Sequence, residues 1–365
     1  TLSLNGRAFV DPSGNLISSN TTSNRLGNPN LMPELLSEFE IGLDTRLFNN
    51  KVGINMSYFK KKTQDLITSK ELDPSTGYTF TTINGGDMEV EGVELDLDLR
   101  WFSNYDGLSW NTGVNFYADE SLVTSLPEGI EQIIIGTYFA SDAKNAAIVG
   151  QPFNVLIGDK IRRSDSGEKV INKATGNYII DPNDVVIGDP NPDFIANIDN
   201  TFSFKNFTFD VGIGYRHGGD IFSKTAVTLL SRGIIDFPFD RLGTYILPGV
   251  NVDGSPNTTQ IGATDIAFSN WLGTDELEIW DGTTVRLREI SLGYQFTGTM
   301  LEKMPFKTLS LNLSGTNLWY KAVNFPEGVN YDTNSLSNGV SNNLGIEYFA
   351  GPSSKRYGFT VKASF

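Results

Sequence analysis

Residues 356–365, RYGFTVKASF, contain the clearest pattern in the chain. The apolar side chains Tyr357, Phe359, Val361 and Phe365 alternate with small or polar ones. Because successive side chains of a β-strand point to opposite faces, this alternation gives a strand one apolar face and one polar face. The segment is therefore predicted to be a two-faced strand.

The same two-residue period recurs upstream, in segments that short turns join into hairpins. Residues 39–47 and 52–58 flank a tight turn at Asn49 and Asn50, and both segments carry one apolar side. The remaining alternating segments are residues 93–101 with 108–116, residues 194–202 with 207–215, and single strands at 284–296 and 306–318. The sequence thus predicts about nine strands of roughly ten to thirteen residues, which is long enough to cross a bilayer at the usual tilt.

The apolar period changes phase at two places. Met88 and Val90 have the opposite parity to Val93, and the change at Gly92 predicts a β-bulge. A second change of phase occurs near Glu289.

The connections between the strands alternate in length. Short turns near Asn49, Tyr105, Lys205 and Met300 alternate with long segments around residues 63–87, 119–192, 218–283 and 319–352. Structureless connections beyond roughly 15 residues are unusual in compact soluble domains. Short turns at one rim and long loops at the other are typical of outer-membrane barrels, whose long loops face outside.

These patterns predict an all-β fold, a transmembrane antiparallel β-barrel. Bacterial single-chain barrels normally have an even number of strands, and an unclosed sheet leaves its edge amides unsatisfied in lipid. The nine predicted strands are therefore expected to be the C-terminal piece of a longer barrel, or to pair with another chain.

Composition is consistent with this fold and argues against several functions. The 37 glycines and 24 phenylalanines suit many short strands with polar turns. A formal net charge of −15 disfavours a nucleic-acid partner, since phosphates are neutralised by clustered Lys and Arg. With no cysteine, the chain has no disulfide, thiolate metal site or cysteine nucleophile. The sequence contains no apolar run of about 18 residues, so no membrane-spanning helix is predicted.

Several short motifs resemble segments of one family, the SusC/RagA-type TonB-dependent outer-membrane transporters. The segment from Asn28 to Glu34 (NPNLMPE) looks like the family's NPxLxPE motif ahead of a barrel strand. The other matching segments, in the family's order, are KKKT at 60–63 with DLI at 65–67, EGVEL at 91–95, IGDPNPDF at 187–194, VRLREISLGY at 285–294 and LSGTNL at 313–318. Each match is weak by itself, but their order and spacing together make the resemblance specific.

The resemblance implies a barrel of about 22 strands, with an N-terminal plug and with energy supplied through TonB. In that case residues 1–365 are the C-terminal portion of the barrel, and the plug and early strands are not in this sequence. The implied partners are a SusD-like surface lipoprotein, TonB through the missing N-terminal region, outer-membrane lipid, the barrel-assembly machinery, and homodimers of transporter–lipoprotein pairs. The implied location is the outer membrane of a Gram-negative cell, with a multi-pass barrel.

Two groups of residues, both rich in aromatic side chains, are candidate functional sites. The terminal residues Tyr357, Phe359, Val361 and Phe365 resemble the signal that the barrel-assembly machinery recognises; the alternative is an ordinary amphipathic last strand. The second group could stack on cargo or form a lid, or could instead pack within loops or form a membrane-rim girdle, and it comprises Trp271, Trp280, Trp319, Tyr320 and Tyr331.

Polar residues suggest no chemistry. Glu94, Asp96, Asp98 and Arg100 face one side of a strand, where they either line a solute path or merely face water or the plug. His217 has no Cys or second His nearby, so neither a metal site nor a catalytic base is expected.

Acidic residues between 164 and 184 are candidates for a catalytic pair or a calcium loop. Asp181 and Asp184 are predicted to be turn residues rather than a glycosidase pair. The family resemblance implies an acid-rich calcium loop in this region of relatives. Here Lys173 to Asn177 stand in place of those acids, so a calcium site between 164 and 184 is disfavoured. No catalytic residue, cofactor or metal is expected, and the protein is predicted not to be an enzyme.

The leading hypothesis is TonB-dependent import of a bulky nutrient, a glycan or a peptide, across the outer membrane. One alternative is a barrel subunit with a structural or assembly role in a larger envelope complex. Another is a soluble polysaccharide-binding β-protein, in which the apolar faces would be buried against one another.

Overall fold

The computed structural model describes residues 2–10, 12–14, 16–104, 107–137, 143–236, 239–302, 304–326, 328–337, 344–351 and 353–365. The side chains of residues 2–10, 16–22, 71 and 182 lie outside that description. None of the helices within these ranges is long and apolar enough to span a membrane.

The main feature is a sheet of nine antiparallel strands, the number that the sequence predicts. The strands, numbered in chain order, are β1 Leu35–Leu47, β2 Val52–Gln64, β3 Asp87–Phe102, β4 Leu108–Ser125, β5 Pro192–Phe204, β6 Phe207–Gly218, β7 Thr284–Gln295, β8 Thr308–Ala322 and β9 Arg356–Ser364. Each strand pairs with the next one along the chain, so the sheet is a simple meander. Among the described residues, β1 and β9 form its two edges.

The connections alternate in length, as the sequence predicts. Residues 48–51 and 205–206 are tight turns, and Asn49 and Asn50 adopt the left-handed φ values of 58° and 63° that such hairpins need. The turn expected at Tyr105 falls outside the described residues, and Met300 lies in the short helix Gly298–Leu301. The long connections are residues 65–86, 126–191, 219–283 and 323–355, and all of them leave from the same end of the sheet. We call that end the long-loop rim and the opposite end the short-turn rim.

One face of the sheet is apolar across all nine strands. In the middle of the sheet, Leu97 pairs with Ile54 of β2 and Val114 of β4, and the row continues through Ile198 and Ile213. The side chains of this row are half-buried or exposed. A continuous apolar surface of this kind would be costly in water, and it suits the hydrocarbon of a bilayer.

Aromatic rings border the apolar face at both rims. Near the short turns, the ring of Trp110 lies 5.3 Å from that of Trp101 and 5.4 Å from that of Phe202. Near the long loops, the ring of Phe194 lies 5.4 Å from that of Phe116 and 5.1 Å from that of His217. Two aromatic girdles of this kind mark the interfaces of a membrane-spanning barrel.

The β-bulge predicted at Gly92 is wrong. Pairing is continuous from Lys60–Glu91 through Phe59–Gly92 to the middle of both strands. The apolar residues change parity near Gly92 because both faces of the sheet change their surroundings at the long-loop rim: the apolar face meets water, and the polar face is covered by a loop. There Glu89 and Glu91 form exposed ion pairs with Lys60 on the otherwise apolar face.

On the other face at this height, apolar residues are covered by a loop. Met88 pairs with Val123, which is buried and exchanges backbone hydrogen bonds with Gly150 and Gln151. The change of polarity near Gly92 therefore occurs along a regularly paired strand, and not at a bulge.

The second phase change, near Glu289, is a genuine irregularity. Leu287 and Glu289 pair with the adjacent residues Ile213 and Gly212, so Arg288 is an extra residue in β7.

The described parts of the long connections fold into a layer that contains four small apolar cores. Their strands are Ile67–Glu71, Phe80–Asn84, Gln132–Thr137, Lys144–Ile148, Val155–Ile161, Val170–Ile171, Ile180–Gly188, Asp220–Ser223, Thr244–Tyr245, Val250–Asn251, Ile261–Gly262, Ile279–Asp281 and Ile346–Glu347. Three further strands precede β1 and are Leu2–Val10, Leu16–Thr22 and Arg25–Leu26.

Helices are few and short. Helix α1, Lys224–Arg232, begins where the Ser223 side chain accepts a hydrogen bond from the backbone of Ala226 and ends at Gly233 in the left-handed region. The remaining helical segments are the 3₁₀ turns Pro74–Thr76 and Asp275–Glu278, Ala263–Asp265, the π-helical turn Ile266–Trp271 and Gly298–Leu301.

Candidate functional site

A polar recess of about 490 Å³ lies in the polar face of the sheet near the long-loop rim. Strands β5 to β8 form its wall, and Thr333 and Asn334 of the last long connection lie over it. Its charged lining consists of three guanidinium groups and two carboxylates, from Arg216, Arg286, Arg288, Asp199 and Glu289. We call this cavity the wall recess.

Glycines in β6 create the space for the wall recess. A Cβ atom on Gly214 would lie 2.9 Å from the Arg288 side chain, and one on Gly212 would lie 2.6 Å from a carboxylate oxygen of Asp199. Because β6 has no side chain at these positions, Arg288 of β7 reaches across it to Asp199 of β5. The bulge at Arg288 places this residue on the same face as its neighbour Glu289.

The three arginines have different partners. Arg288 Nη1 lies 3.6 Å from Asp199 Oδ2, and both side chains are about half exposed. Arg286 is buried and donates to the buried carboxylate of Asp332, which also accepts from the backbone of Ser353 at 3.1 Å. The Arg286–Asp332 pair therefore fastens the last long connection to the wall.

Arg216 donates to backbone carbonyls. Its Nη2 lies 3.1 Å from the oxygen of Pro190, and its Nε lies 3.4 Å from the oxygen of Gly218. These bonds hold the guanidinium against the wall, where its charge adds to that of Arg288.

A second anchor lies in the loop layer. The carboxylate of Glu347 is fully buried and accepts hydrogen bonds from Ser223, Thr225 and Ala350. It joins the last long connection to the start of α1. Together with Arg286–Asp332, it holds this connection over the polar face.

The polar residues predicted on β3 lie on the polar face of the sheet. Glu94, Asp96, Asp98 and Arg100 are exposed there, and the amide of Asn115 donates to Asp96. They lie on β3, and β4 separates this strand from strands β5 to β8, which form the wall recess.

The structure distributes the five aromatic candidates over three environments. Trp271, Trp280 and Tyr331 pack against the apolar cores of the loop layer, and the Tyr331 hydroxyl donates to Ser335. Trp319 is exposed and pairs with Leu287 on the apolar face at the long-loop rim. Tyr320 lies on the polar face, with the Arg286 guanidinium 5.1 Å from the centre of its ring.

The residues proposed as a terminal signal lie on or next to β9, which is an edge strand among the described residues. Tyr357, Phe359 and Val361 are exposed on the apolar face of β9, and the ring of Phe365 lies 5.2 Å from that of Phe306. Whether they act as an assembly signal stays a prediction.

The residues considered for chemistry have structural partners. Asp184 pairs with Lys144 at 2.7 Å, and Asp181 accepts from the backbone of Asn183. Both acids lie in the strand Ile180–Gly188, beside a register shift against Val155–Ile161, so the prediction that they are turn residues is wrong. His217 lies on the apolar face, where its ring is 5.1 Å from that of Phe194. Within the described ranges, no three His, Cys, Asp or Glu residues form a group that would hold a metal ion.

A family model described as TonB dependent receptor-like, beta-barrel, matches residues 5–318 of the chain. The chain belongs to this receptor family. The receptor barrel is an outer-membrane structure, so the apolar face of its sheet faces lipid and the polar face faces the lumen. The SusC/RagA-type resemblance in the motifs is thereby confirmed at the level of family.

The chain is similar to two curated receptors of Formosa agariphila. TonB-dependent receptor P3 is 26% identical over 366 residues, which cover 93% of this chain and 35% of that receptor. TonB-dependent receptor P26 is 24% identical over 371 residues, which cover 91% of this chain and 36% of that receptor. The chain thus spans about a third of the length of these relatives.

Solved structures confirm the fold. The structure of the RagAB peptide transporter matches all of this chain and 38% of its own, with a TM-score of 0.66 and 16% sequence identity. The RagAB peptide importer in its closed-closed state gives a TM-score of 0.67, again at 16% identity. The nine strands are therefore part of a larger barrel.

The sequence did not identify the wall recess. Arg288 and Asp199 lie on strands separated by β6, so only the folded sheet brings them together. The change of phase near Glu289 was the one available signal, since bulges often re-aim side chains beside functional sites.

Proposed function

We propose that this chain is the C-terminal portion of a receptor that imports a bulky nutrient, a glycan or a peptide, across the outer membrane. The observation that carries the proposal is the match to the receptor-like barrel family over residues 5–318. The two-faced wall supports it, because a polar inner face and an apolar outer face suit passage of a water-soluble solute through lipid.

In this proposal the chain performs no covalent chemistry. The wall excludes lipid, its polar face keeps the lumen wet, and the layer of long connections contacts the cargo outside. Energy comes from TonB through the part of the receptor that precedes this chain, and a SusD-like lipoprotein binds at the cell surface. The chain shares its fold with RagAB, a peptide transporter, and this likeness supports a peptide as one class of cargo.

The test is deletion of the gene in its native host, with the full-length receptor restored from a plasmid. We expect the deletion strain to lose uptake of at least one class of oligosaccharide or oligopeptide, and a strain without TonB to show the same loss. Affinity purification of the full-length receptor should also recover a surface lipoprotein. Unchanged uptake of every class, together with disruption of a larger envelope complex, would instead establish a structural or assembly role.

A further inference from the structure

We infer that the wall recess binds a carboxylate group of the cargo, and that Arg288 exchanges its partner Asp199 for that group. The inference rests on the proposed import function and narrows its cargo to anionic molecules. The ligand chemistry is a carboxylate, from either the C-terminus of a peptide or an acidic sugar.

The Arg288–Asp199 pair is the contact that a ligand can replace. Its two charged groups are 3.6 Å apart and their side chains are 43% and 50% exposed, so water already competes for both. The neighbouring Arg286–Asp332 pair is different, since its side chains are only 8% and 0% exposed. Removing a partner there would leave a buried charge, so that pair stays closed.

The geometry leaves room for the incoming group. The recess has a volume of about 490 Å³ because Gly212 and Gly214 place no side chain between Arg288 and Asp199. A guanidinium group donates two parallel hydrogen bonds to a carboxylate, which is a stronger contact than a single 3.6 Å approach. A ligand carboxylate can therefore accept two hydrogen bonds from Arg288, which Asp199 does not do at its present distance.

The half-exposed guanidinium group of Arg288 gives an anionic group a partner in the recess. Three guanidinium groups and two carboxylates line the recess, and Arg216 is bonded there to backbone carbonyls. Asp332 already neutralises Arg286, so the charged groups left to a ligand are the guanidinium groups of Arg216 and Arg288 and the carboxylates of Asp199 and Glu289. An anionic group would meet Arg288 directly, with Asn197 and Asn317 as further polar neighbours.

The test uses the full-length receptor, purified from outer membranes in detergent, and two matched pairs of probes. One pair is penta-alanine and its C-terminal amide, and the other is trigalacturonate and its methyl ester. In at least one pair we expect the acid to bind about tenfold more tightly than its neutral form, as a charged hydrogen bond predicts. Equal affinity within both pairs, or no binding of any probe, would overturn the inference.

Two substitutions of opposite sign separate recognition from damage. Arg288→Gln should abolish the preference for the acid, whereas Asp199→Asn should strengthen binding of the acid severalfold by freeing Arg288. Arg100→Gln, on the polar face of β3 and outside the recess, should leave the preference unchanged. Weaker binding in both the Arg288 and Asp199 variants would indicate a structural role and contradict the inference.

The probe pairs also identify the source of the carboxylate. A preference confined to penta-alanine assigns the site to peptide C-termini, and one confined to trigalacturonate assigns it to acidic glycans; both support the inference. Failure of the proposed import function is read separately, from uptake in the deletion strain. Normal TonB-dependent uptake with no discrimination by the purified receptor removes the carboxylate site alone.

Discussion

The guanidinium of Arg286, on the lumen side of β7, donates to the carboxylate of Asp332 in the last long connection. Both side chains are buried, and Thr284 and Thr333 make a 2.7 Å hydroxyl contact nearby on the same two elements. This contact fixes the position of the loop layer relative to the barrel wall, and it defines the roof of the wall recess.

The first prediction is that Asp332→Ala releases the last long connection. The substitution leaves the Arg286 charge buried without a partner, which typically costs about 3–5 kcal/mol. Limited proteolysis of the receptor in detergent should then cut within residues 323–355 at least tenfold faster than in the wild type. Asp253→Ala is the matched control, since its carboxylate is exposed and lies 3.9 Å from Lys173. Equal cleavage rates in the Asp332 variant and the wild type would contradict the anchoring role.

The second prediction concerns close packing at Gly92. A Cβ atom there would lie 2.6 Å from the ring of Phe59 and 2.7 Å from the carbonyl oxygen of Ala118. Gly92→Ala should therefore destabilise the barrel by about 1–3 kcal/mol, the usual cost of overpacking. Urea unfolding in lipid vesicles measures the change.

Gly113→Ala provides the control for this measurement. It lies in the adjacent strand β4, and a Cβ atom added there meets no atom within 4 Å. Comparable losses of stability at the two positions would show that strand propensity, and not contact with Phe59, determines the effect.

The third prediction tests which face of the sheet contacts lipid. Leu97 lies in the middle of the apolar row, between Ile54 and Val114. Leu97→Arg should destabilise the folded barrel in vesicles by about 2–4 kcal/mol, the cost of an arginine near the bilayer midplane. Asp98→Arg, one residue along on the polar face, should cost far less. A larger loss for Asp98→Arg would reverse the assignment of the two faces.

The fourth prediction concerns pH and a buried ion pair in the loop layer. Burial raises the pKa of Glu278 from its ordinary value of 4.5 to about 8, although the Lys224 ammonium, 2.5 Å away, favours the charged form. A carboxyl with a raised pKa binds more protons in the folded state than in the unfolded state. The contribution of Glu278 to the stability of the loop layer should therefore be fully present below about pH 4.5 and should be lost as the pH rises through about 8.

Scanning calorimetry between about pH 5 and pH 9 tests this dependence, since that range spans the raised pKa. Glu278→Gln should flatten the fall, because the amide does not titrate, while Glu302→Gln at an exposed position should preserve it. An unchanged pH dependence in the Glu278 variant would exclude this carboxyl as its source.

Particular residues show how far the sequence could be read. The alternation of Tyr357, Phe359 and Val361 was sufficient to place β9 and its apolar face, because burial in lipid imposes a strict two-residue period. The alternation of short and long connections was sufficient to assign the two rims. The bulge expected at Gly92 was wrong, since a change of solvent along a regular strand produces the same phase change as a bulge.

The sequence by itself determined the fold class, the nine strands, their faces and the family, because each of these depends on local periodicity or on short contiguous motifs. The tertiary structure alone decided that Arg288 meets Asp199 across the glycines of β6 and that Arg286 holds Asp332. Arg288 and Asp199 are 89 positions apart in the chain (288 − 199), and Asp332 and Arg286 are 46 positions apart (332 − 286). No local pattern encodes which of these side chains meet. Register, the bulge and the folded loop layer set those distances, and so they determine what the lumen wall can bind.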